Sequence, residues 1–119
     1  MNINYQRFTL DLDKQDSMEY VTVRKEDTAK GIAVLLSESG TPYTIADDVS
    51  AVLAAQKSDG AYIYADGTIE DNCILVVLPA SFTASVGKLN ACIRLTDSSA
   101  ALTTPPFTIY VDTPAAPAQ

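Results

Sequence analysis

Three aspartates near the N-terminus, Asp11, Asp13 and Asp16, have a spacing that resembles a metal-binding motif. Their D-x-D-x-x-D arrangement offers carboxylate oxygens, which are the ligands that calcium prefers. The segment lacks the glycine and the distal glutamate of an EF-hand loop. We therefore interpret it as a solvated acidic turn, and we expect no metal and no cofactor.

Catalytic chemistry is limited by the absence of histidine from the 119 residues. Histidine is the side chain that titrates near neutrality and the commonest metal ligand. Its absence excludes Ser-His-Asp and Cys-His catalysis and the usual catalytic zinc sites. Ser81, Thr83 and Ser85 have no candidate base nearby in the sequence and no nucleophile-elbow pattern. We predict that the protein is not an enzyme.

Two further candidate sites involve exposed aromatic or apolar side chains. Tyr62 and Tyr64 fall on one face of a predicted strand, where they could stack on sugar rings or pack against neighbouring strands. The candidate interface lies in the first residues of the chain, at Ile3, Tyr5, Phe8 and Leu10. These residues either dock on a neighbouring copy by strand addition or form an edge strand of the domain itself.

The charge of the chain limits the classes of partner that it is expected to bind, and its N-terminal sequence indicates where it is made. A net charge of −7 repels nucleic-acid phosphates and anionic membrane surfaces, so neither is expected as a partner. No apolar run approaches the roughly 20 residues that span a bilayer. Because the N-terminus also lacks a signal peptide, we expect synthesis in the cytoplasm, with Cys73 and Cys92 reduced.

The elements that position these residues are short runs of alternating apolar and polar residues, separated by turn signals. The clearest is Leu89–Thr96, and such runs recur roughly every 8 to 20 residues, as in antiparallel sandwiches and barrels. We predict one all-β domain over residues 1–112. Its predicted fold is an antiparallel β-sandwich, immunoglobulin-like or jelly-roll-like, with an extended N-terminal arm and a flexible tail at 113–119.

Three local patterns need separate interpretation. The Asp-Gly pairs at 59–60 and 66–67 predict tight turns on either side of the tyrosines. Residues 80–87 predict one helical turn. Between Asp47 and Lys57 the apolar residues recur with helical spacing, although the same segment also alternates as a strand would.

Two runs, Gly31–Leu36 and Asn72–Leu78, are apolar on both faces. A strand of a monomeric two-sheet sandwich shows one polar face to water, so the second apolar face needs a cover. A loop, the N-terminal arm or a partner subunit would provide it. Among these covers, we predict self-association through this strand surface.

Several short patterns follow one another along the chain: Val21–Thr28, Gly40–Ile45, Lys57–Gly60, Asn72-Cys73, Phe82–Ala84 ahead of Gly87, Ala91–Asp97 and Phe107–Val111. In this order they resemble the N-terminal domain of phage upper baseplate and tail-fibre proteins. The resemblance spans roughly residues 18 to 112, and each pattern is a short strand-turn signature. It implies that Val49–Gln56 is a strand, against its helical periodicity.

The resemblance also implies a function and a location. It implies a noncatalytic structural protein of the virion tail, in a baseplate or fibre, that self-associates and positions receptor-binding components. A homo-oligomer, with a trimer favoured, and contacts with other phage tail or baseplate proteins follow from it. Family members continue into a long helical or fibrous part, whereas this chain ends after TPAAPAQ, so we expect a small adaptor. The alternative is a carbohydrate-binding or adhesin-like module.

Overall fold

The structure is a computed structural model that describes residues 2–113, so the predicted tail lies outside the described residues beyond Thr113. It is 57% strand and 4% helix, which confirms the all-β prediction. Within residues 2–113, no helix has the length and apolar character that crossing a bilayer requires. The elements are β1 (Asn4–Asp11), β2 (Tyr20–Arg24), β3 (Lys30–Glu38), β4 (Thr41–Pro42), β5 (Ser50–Gln56), β6 (Tyr62–Glu70), β7 (Cys73–Val77), α1 (Ala80–Thr83), β8 (Gly87–Thr96), β9 (Ala101–Thr103) and β10 (Phe107–Asp112).

The strands form one curved sheet in the order β1-β3-β7-β6-β5-β8-β10-β2, with β4 beside β3 and β9 beside β8. The pairs β1/β3 and β2/β10 are parallel, and the others are antiparallel. The sheet nearly closes into a barrel, so a sandwich is not confirmed. Between the end strands β1 and β2, Gln6 Nε2 donates a hydrogen bond of 3.2 Å to the carbonyl oxygen of Tyr20.

The predicted turn at Asp66-Gly67 is wrong, because β6 runs without interruption from Tyr62 to Glu70. A Cβ at Gly67 would lie 3.3 Å from Cγ2 of both Ile74 and Val76 and 3.4 Å from the Cβ of Ala51. The glycine therefore serves close packing rather than a turn. The turn predicted at Asp59-Gly60 is confirmed, since Gly60 has a φ of 91° and its N–H donates to the carbonyl of Lys57.

The N-terminal residues do not form an extended arm. They form β1, which pairs in parallel with β3 from Asn4 opposite Lys30 to Asp11 opposite Ser37. Phe8 and Leu10 are 8% and 0% exposed and belong to the core. The arm prediction is wrong because this alternating segment pairs with the edge of β3 and buries two large apolar side chains.

The strand predicted over Val49–Gln56 is confirmed as β5, and the predicted helical turn is confirmed as α1. β5 lies between β6 and β8 and pairs with β8 along its whole length and with β6 from Ala51 to Gln56. Ala51, Leu53 and Ala55 alternate into the core. Ladder hydrogen bonds on both edges and this alternating burial outweigh the local helical periodicity.

A single core fills the interior of the curved sheet. Its largest fully buried side chains are Phe82, Leu10, Ile32, Leu53, Ile74, Leu78, Ile93, Ile109, Val21, Val23, Val34 and Val76. Every strand from β1 to β10 except β4, β6 and β9 contributes to the buried core set. Phe8 of β1 and Phe107 of β10 contact each other across the opening of the sheet, with ring centroids 5.0 Å apart.

Asn72 holds a loop over one end of this core. Its Oδ1 accepts a hydrogen bond of 2.7 Å from the N–H of Ile45, and its Nδ2 donates one of 2.8 Å to the carbonyl of Tyr43. Asn72 has a φ of 60°, a backbone conformation that asparagine tolerates better than most residues. The side chain and the backbone of this one residue therefore close the loop over the buried Ile45.

We predict that Asn72→Gly lowers the free energy of unfolding by roughly 1–3 kcal/mol, because the N–H of Ile45 loses its acceptor. Asn72→Ala should cost about 1 kcal/mol more, since alanine is strained at a positive φ. Urea unfolding monitored by circular dichroism measures both. The exposed Asn90→Ala is the control and should change stability by less than about 0.5 kcal/mol. An Asn72→Gly variant as stable as the wild type would contradict this assignment.

Candidate functional site

The hydroxyl residues Ser81, Thr83 and Ser85 lie in or beside α1. Thr83 is 0% exposed, and its Oγ1 donates a hydrogen bond of 2.8 Å to the carbonyl of Asp27. The backbone carbonyl of Thr83 in turn accepts from the N–H of Glu26. Ser81 and Ser85 are exposed at the surface beside it. Thr83 therefore joins α1 to the β2–β3 loop, a structural role rather than a chemical one.

The acidic turn is organised by hydrogen bonds from the protein itself. The carboxylate of Asp11 accepts from the backbone N–H groups of Asp13, Gly40 and Ser39 at 2.9, 3.0 and 3.2 Å. The hydroxyl of Ser39 donates to the carboxylate of Asp13. The backbone N–H of Asp13, followed by those of Gly40 and Ser39, lowers the pKa of Asp11 from its ordinary value. Among residues 2–113, no three carboxylates or thiols are grouped as metal ligands.

Tyr62 and Tyr64 lie on the outer face of β6, where they are 59% and 64% exposed. The residues opposite them on β5 are Gln56 and Ala54, so neither tyrosine has an aromatic cross-strand neighbour on that side. Their rings are therefore open to a ligand. Whether a sugar binds there stays a prediction.

A second aromatic pair on the outer surface was not singled out from the sequence. The rings of Tyr20 on β2 and Tyr110 on β10 meet edge to face with centroids 5.9 Å apart, and both are exposed. The two residues belong to strands that pair in parallel although they are far apart in the chain. Their alternation with buried valines and isoleucine indicated an outward face, but nothing in the sequence paired β2 with β10.

The four candidate interface residues divide between the core and the surface. Phe8 and Leu10 are buried inside the domain and are unavailable to a partner, as expected for an edge strand of the domain itself. Ile3 precedes β1 and is half-buried, whereas Tyr5 is 37% exposed. A Cβ at Gly31 would lie 2.7 Å from two ring carbons of Tyr5, so the tyrosine covers this glycine of β3.

Tyr5 belongs to a largely apolar surface on the outside of β1, β3 and β7, which we call the β3 outer face. It consists of Tyr5, Gly31, Ala33, Leu35, Leu75 and Val77. Arg7 and Thr9 of β1 lie beside it, opposite Ala33 and Leu35. Gly31 and Ala33 form its buried floor, Leu75 is half-buried, and Leu35 and Val77 are 37% and 43% exposed. The two runs that are apolar on both faces in the sequence thus lie side by side, and their second faces make one patch.

The two cysteines are free. Cys73 is buried at the start of β7, and Cys92 is half-buried on the outer side of β8, beside Ala54 of β5. Burial raises the pKa of the Cys92 thiol, although the positive charge of Arg94 opposes the shift. A raised pKa lowers the thiolate fraction, so Cys92 is a weak nucleophile.

Charge is unevenly distributed between the two ends of the curved sheet. We call the end formed by loops 12–19, 39–49, 71–72 and 97–100 the acidic end. Of the 15 carboxylates, it carries Asp11, Asp13, Asp16, Glu19, Glu38, Asp47, Asp48, Glu70, Asp71 and Asp97. Among the described residues of this end, Lys14 is the one cation. The opposite end carries the cations Arg24, Lys25, Lys30, Lys57 and Lys88 together with the carboxylates Glu26, Asp27, Asp59 and Asp112.

The fold matches that of a solved phage protein. The N-terminal domain of phage TP901-1 ORF48 superposes with a TM-score of 0.70 at 13% sequence identity, and the match covers 92% of this chain and 98% of that one. No protein-family model and no curated protein matches the chain. The resemblance to phage baseplate domains is thereby confirmed at the level of the fold.

The hydrogen bonds of Asp11 predict a pH-dependent stability. Because its pKa is lower in the folded state, the Asp11 carboxylate stabilises the fold above its unfolded pKa, near 3.8, and this contribution is lost as the pH falls through the folded pKa. The wild type should therefore be more stable than Asp11→Asn at pH 6, and the difference should shrink below pH 3.8.

Urea unfolding at several pH values measures this difference. Asp48→Asn removes one charge from the same acidic end and is the matched control for net charge. A difference between the wild type and Asp11→Asn that stays constant down to the lowest pH would contradict a role for the ionised carboxylate.

Proposed function

We propose that this chain is a noncatalytic structural protein of a phage baseplate or tail fibre, which self-associates and positions receptor-binding components. The observation that carries the proposal is the fold match over 92% of the chain to a domain of a phage baseplate protein. It supports a phage structural role. The ordered residue patterns between Val21 and Val111, which resemble upper baseplate domains, support the same role independently of the superposition.

The noncatalytic part of the proposal is supported by the chemistry of the candidate residues. The chain has no histidine, and Thr83 and Asp11 direct their polar atoms to the backbone of neighbouring loops. A group that is already engaged in holding a turn is poorly placed to transfer a proton or to attack a substrate. Stability of the domain, rather than turnover, accounts for these side chains.

Self-association is supported by the β3 outer face. The ring of Tyr5 lies over Gly31, Ala33 is buried, and Leu35 and Val77 add exposed apolar area, with Arg7 and Thr9 of β1 beside it. Burying such a surface is favourable, and a net charge of −7 favours a contact that avoids the acidic end. In a tail assembly with rotational symmetry, a closed ring, with a trimer favoured, is the expected form.

A carbohydrate-binding module is the alternative, and one observation favours it. Tyr62 and Tyr64 project from one face of β6, with more than half of each residue exposed. Exposed aromatic rings on a sheet face suit stacking on sugar rings. A module of this kind would act as a monomer, so the oligomeric state separates the two proposals.

The oligomeric state tests self-association directly. Light scattering over about a hundredfold range of protein concentration should give a multiple of 12.7 kDa at the upper end, three times that value for a trimer. Leu35→Glu should return the protein to the monomer, since it places a charge in the β3 outer face. Leu102→Glu is the matched control, because Leu102 is equally exposed on β9, outside this surface. A monomer at every protein concentration would contradict self-association and favour the carbohydrate-binding alternative.

The phage role has its own test. Gold-labelled antibodies raised against the chain should decorate the tail tip of phage particles induced from a strain that encodes it, as seen by electron microscopy. Particles stripped of their tails provide the control. Intact tails that carry no label, from a strain shown to make the protein, would contradict a virion location.

A further inference from the structure

The sheet is open on one side of β6. Residues Tyr62–Gly67 pair with β5, whereas only Thr68–Glu70 pair with β7. Within residues 2–113, no strand pairs with the other edge of Tyr62–Asp66, and β7 has no neighbour on that side at Val76 and Val77. We call the unpaired side of Tyr62–Asp66 the β6 edge. Its backbone N–H and C=O groups that point away from β5 are open to an added strand.

The core is incompletely covered beside this edge. Ile63, Ala65 and Ile69 point inward from β6 and are only half-buried. On the next two strands of the sheet, β5 and β8, the inward residues Leu53 and Ile93 are both 0% exposed. A strand added at the β6 edge would therefore gain backbone hydrogen bonds and would also cover apolar surface of Ile63 and Ala65.

Two other free edges of the sheet, those of β1 and β2, differ in this respect. β1 and β2 each lack a ladder partner on one side within the described residues. Their inward side chains are nevertheless buried, since Leu10, Val21 and Val23 are 0%, 1% and 2% exposed. A strand added there would cover almost no further core surface. Among these three edges, the β6 edge is the one where an added strand covers further core surface.

The surroundings of the β6 edge indicate the chemistry of the added strand. Asp59, Asp66 and Glu70 lie in or beside β6, and all three are exposed. The outward tyrosines, Tyr62 and Tyr64, offer aromatic faces to a cation. A second copy of this chain could offer the matching segment Tyr62–Glu70, but that segment contains acidic residues and no lysine or arginine. Charge complementarity therefore favours a different, basic partner.

We propose that the β6 edge binds an extended segment of another protein by strand addition. Alternate residues of that segment are apolar and cover Ile63 and Ala65, and the residues between them are lysine or arginine and face Tyr64 and Asp66. This inference does not depend on the phage role, because it follows from the unpaired backbone, the half-buried core residues and the charges of β6.

A synthetic peptide tests the proposal. The probe is an eight-residue peptide of alternating lysine and valine, acetylated and amidated at its ends, and the control peptide replaces each lysine with glutamate. Hydrogen–deuterium exchange of the full chain should show at least tenfold slower exchange at amides within Tyr62–Asp66 when the lysine peptide is added. The glutamate peptide should leave exchange there unchanged.

A pair of variants checks the site by fluorescence anisotropy with the labelled lysine peptide. Ala65→Lys places a cation at the inward side of the β6 edge and should weaken binding at least tenfold. Thr22→Lys adds the same charge on β2 and should bind within about twofold of the wild type. The exchange experiment uses the wild type, so it remains decisive if Ala65→Lys does not fold.

Four results would overturn the proposal. Protection confined to the loops of the acidic end would show adsorption by charge alone, and protection of β1 or β2 would place the added strand elsewhere. Equal protection by the glutamate peptide would remove the charge argument. Protection of Tyr62–Asp66 that rises with protein concentration in the absence of peptide would identify a second copy as the occupant. The first three results leave the light-scattering and antibody tests unchanged, whereas the fourth predicts an oligomer that Leu35→Glu does not dissociate.

Discussion

The division of β6 between two neighbours is the constraint on which the rest of the architecture depends. Its first part pairs with β5 and its last part with β7, so one strand belongs to both halves of the sheet. The change of partner occurs beside Gly67, where the absent Cβ leaves room for Ile74 and Val76. Because the strand passes from one half to the other, the sheet curves around a single core, and the same change leaves the β6 edge without a neighbour.

Side chains that hydrogen-bond to backbone groups give the acidic end its form. Asp11 holds the β3–β4 turn, Asn72 holds the loop at Tyr43 and Ile45, and Asp97 accepts from the N–H groups of Ser99 and Ala100. The N–H groups of Ser99 and Ala100 lower the pKa of Asp97. Backbone N–H groups lower the pKa of Asp11 in the same way. Two carboxylates of this end, Asp11 and Asp97, thus shape loops by accepting hydrogen bonds from backbone N–H groups.

Alternation along the chain was sufficient to predict most strands, and the comparison shows where local patterns stop being informative. β8 and β10 were evident because each buries alternate residues on one face. β5 fitted both a helix and a strand, and the family resemblance, together with the strand-like spacing of the surrounding segments, decided correctly. The turn prediction at Asp66-Gly67 was wrong because the dipeptide is a local turn signal. The close approach of Ile74 and Val76, which requires the glycine, is a tertiary contact that the local sequence does not show.

The candidate site was predictable to a smaller extent for the same reason. Tyr62 and Tyr64 were recognised because a strand alternates its faces. The pair Tyr20–Tyr110 and the β6 edge were missed, since both arise from which strand pairs with which.

The parallel pairing of β2 with β10 also sets the timing of folding during synthesis. Tyr20 pairs opposite Thr108, so at about 5–20 residues per second the ribosome needs several seconds to supply the partner of β2. During that interval Val21 and Val23, which are 1% and 2% exposed in the folded domain, lack the strand that pairs with β2.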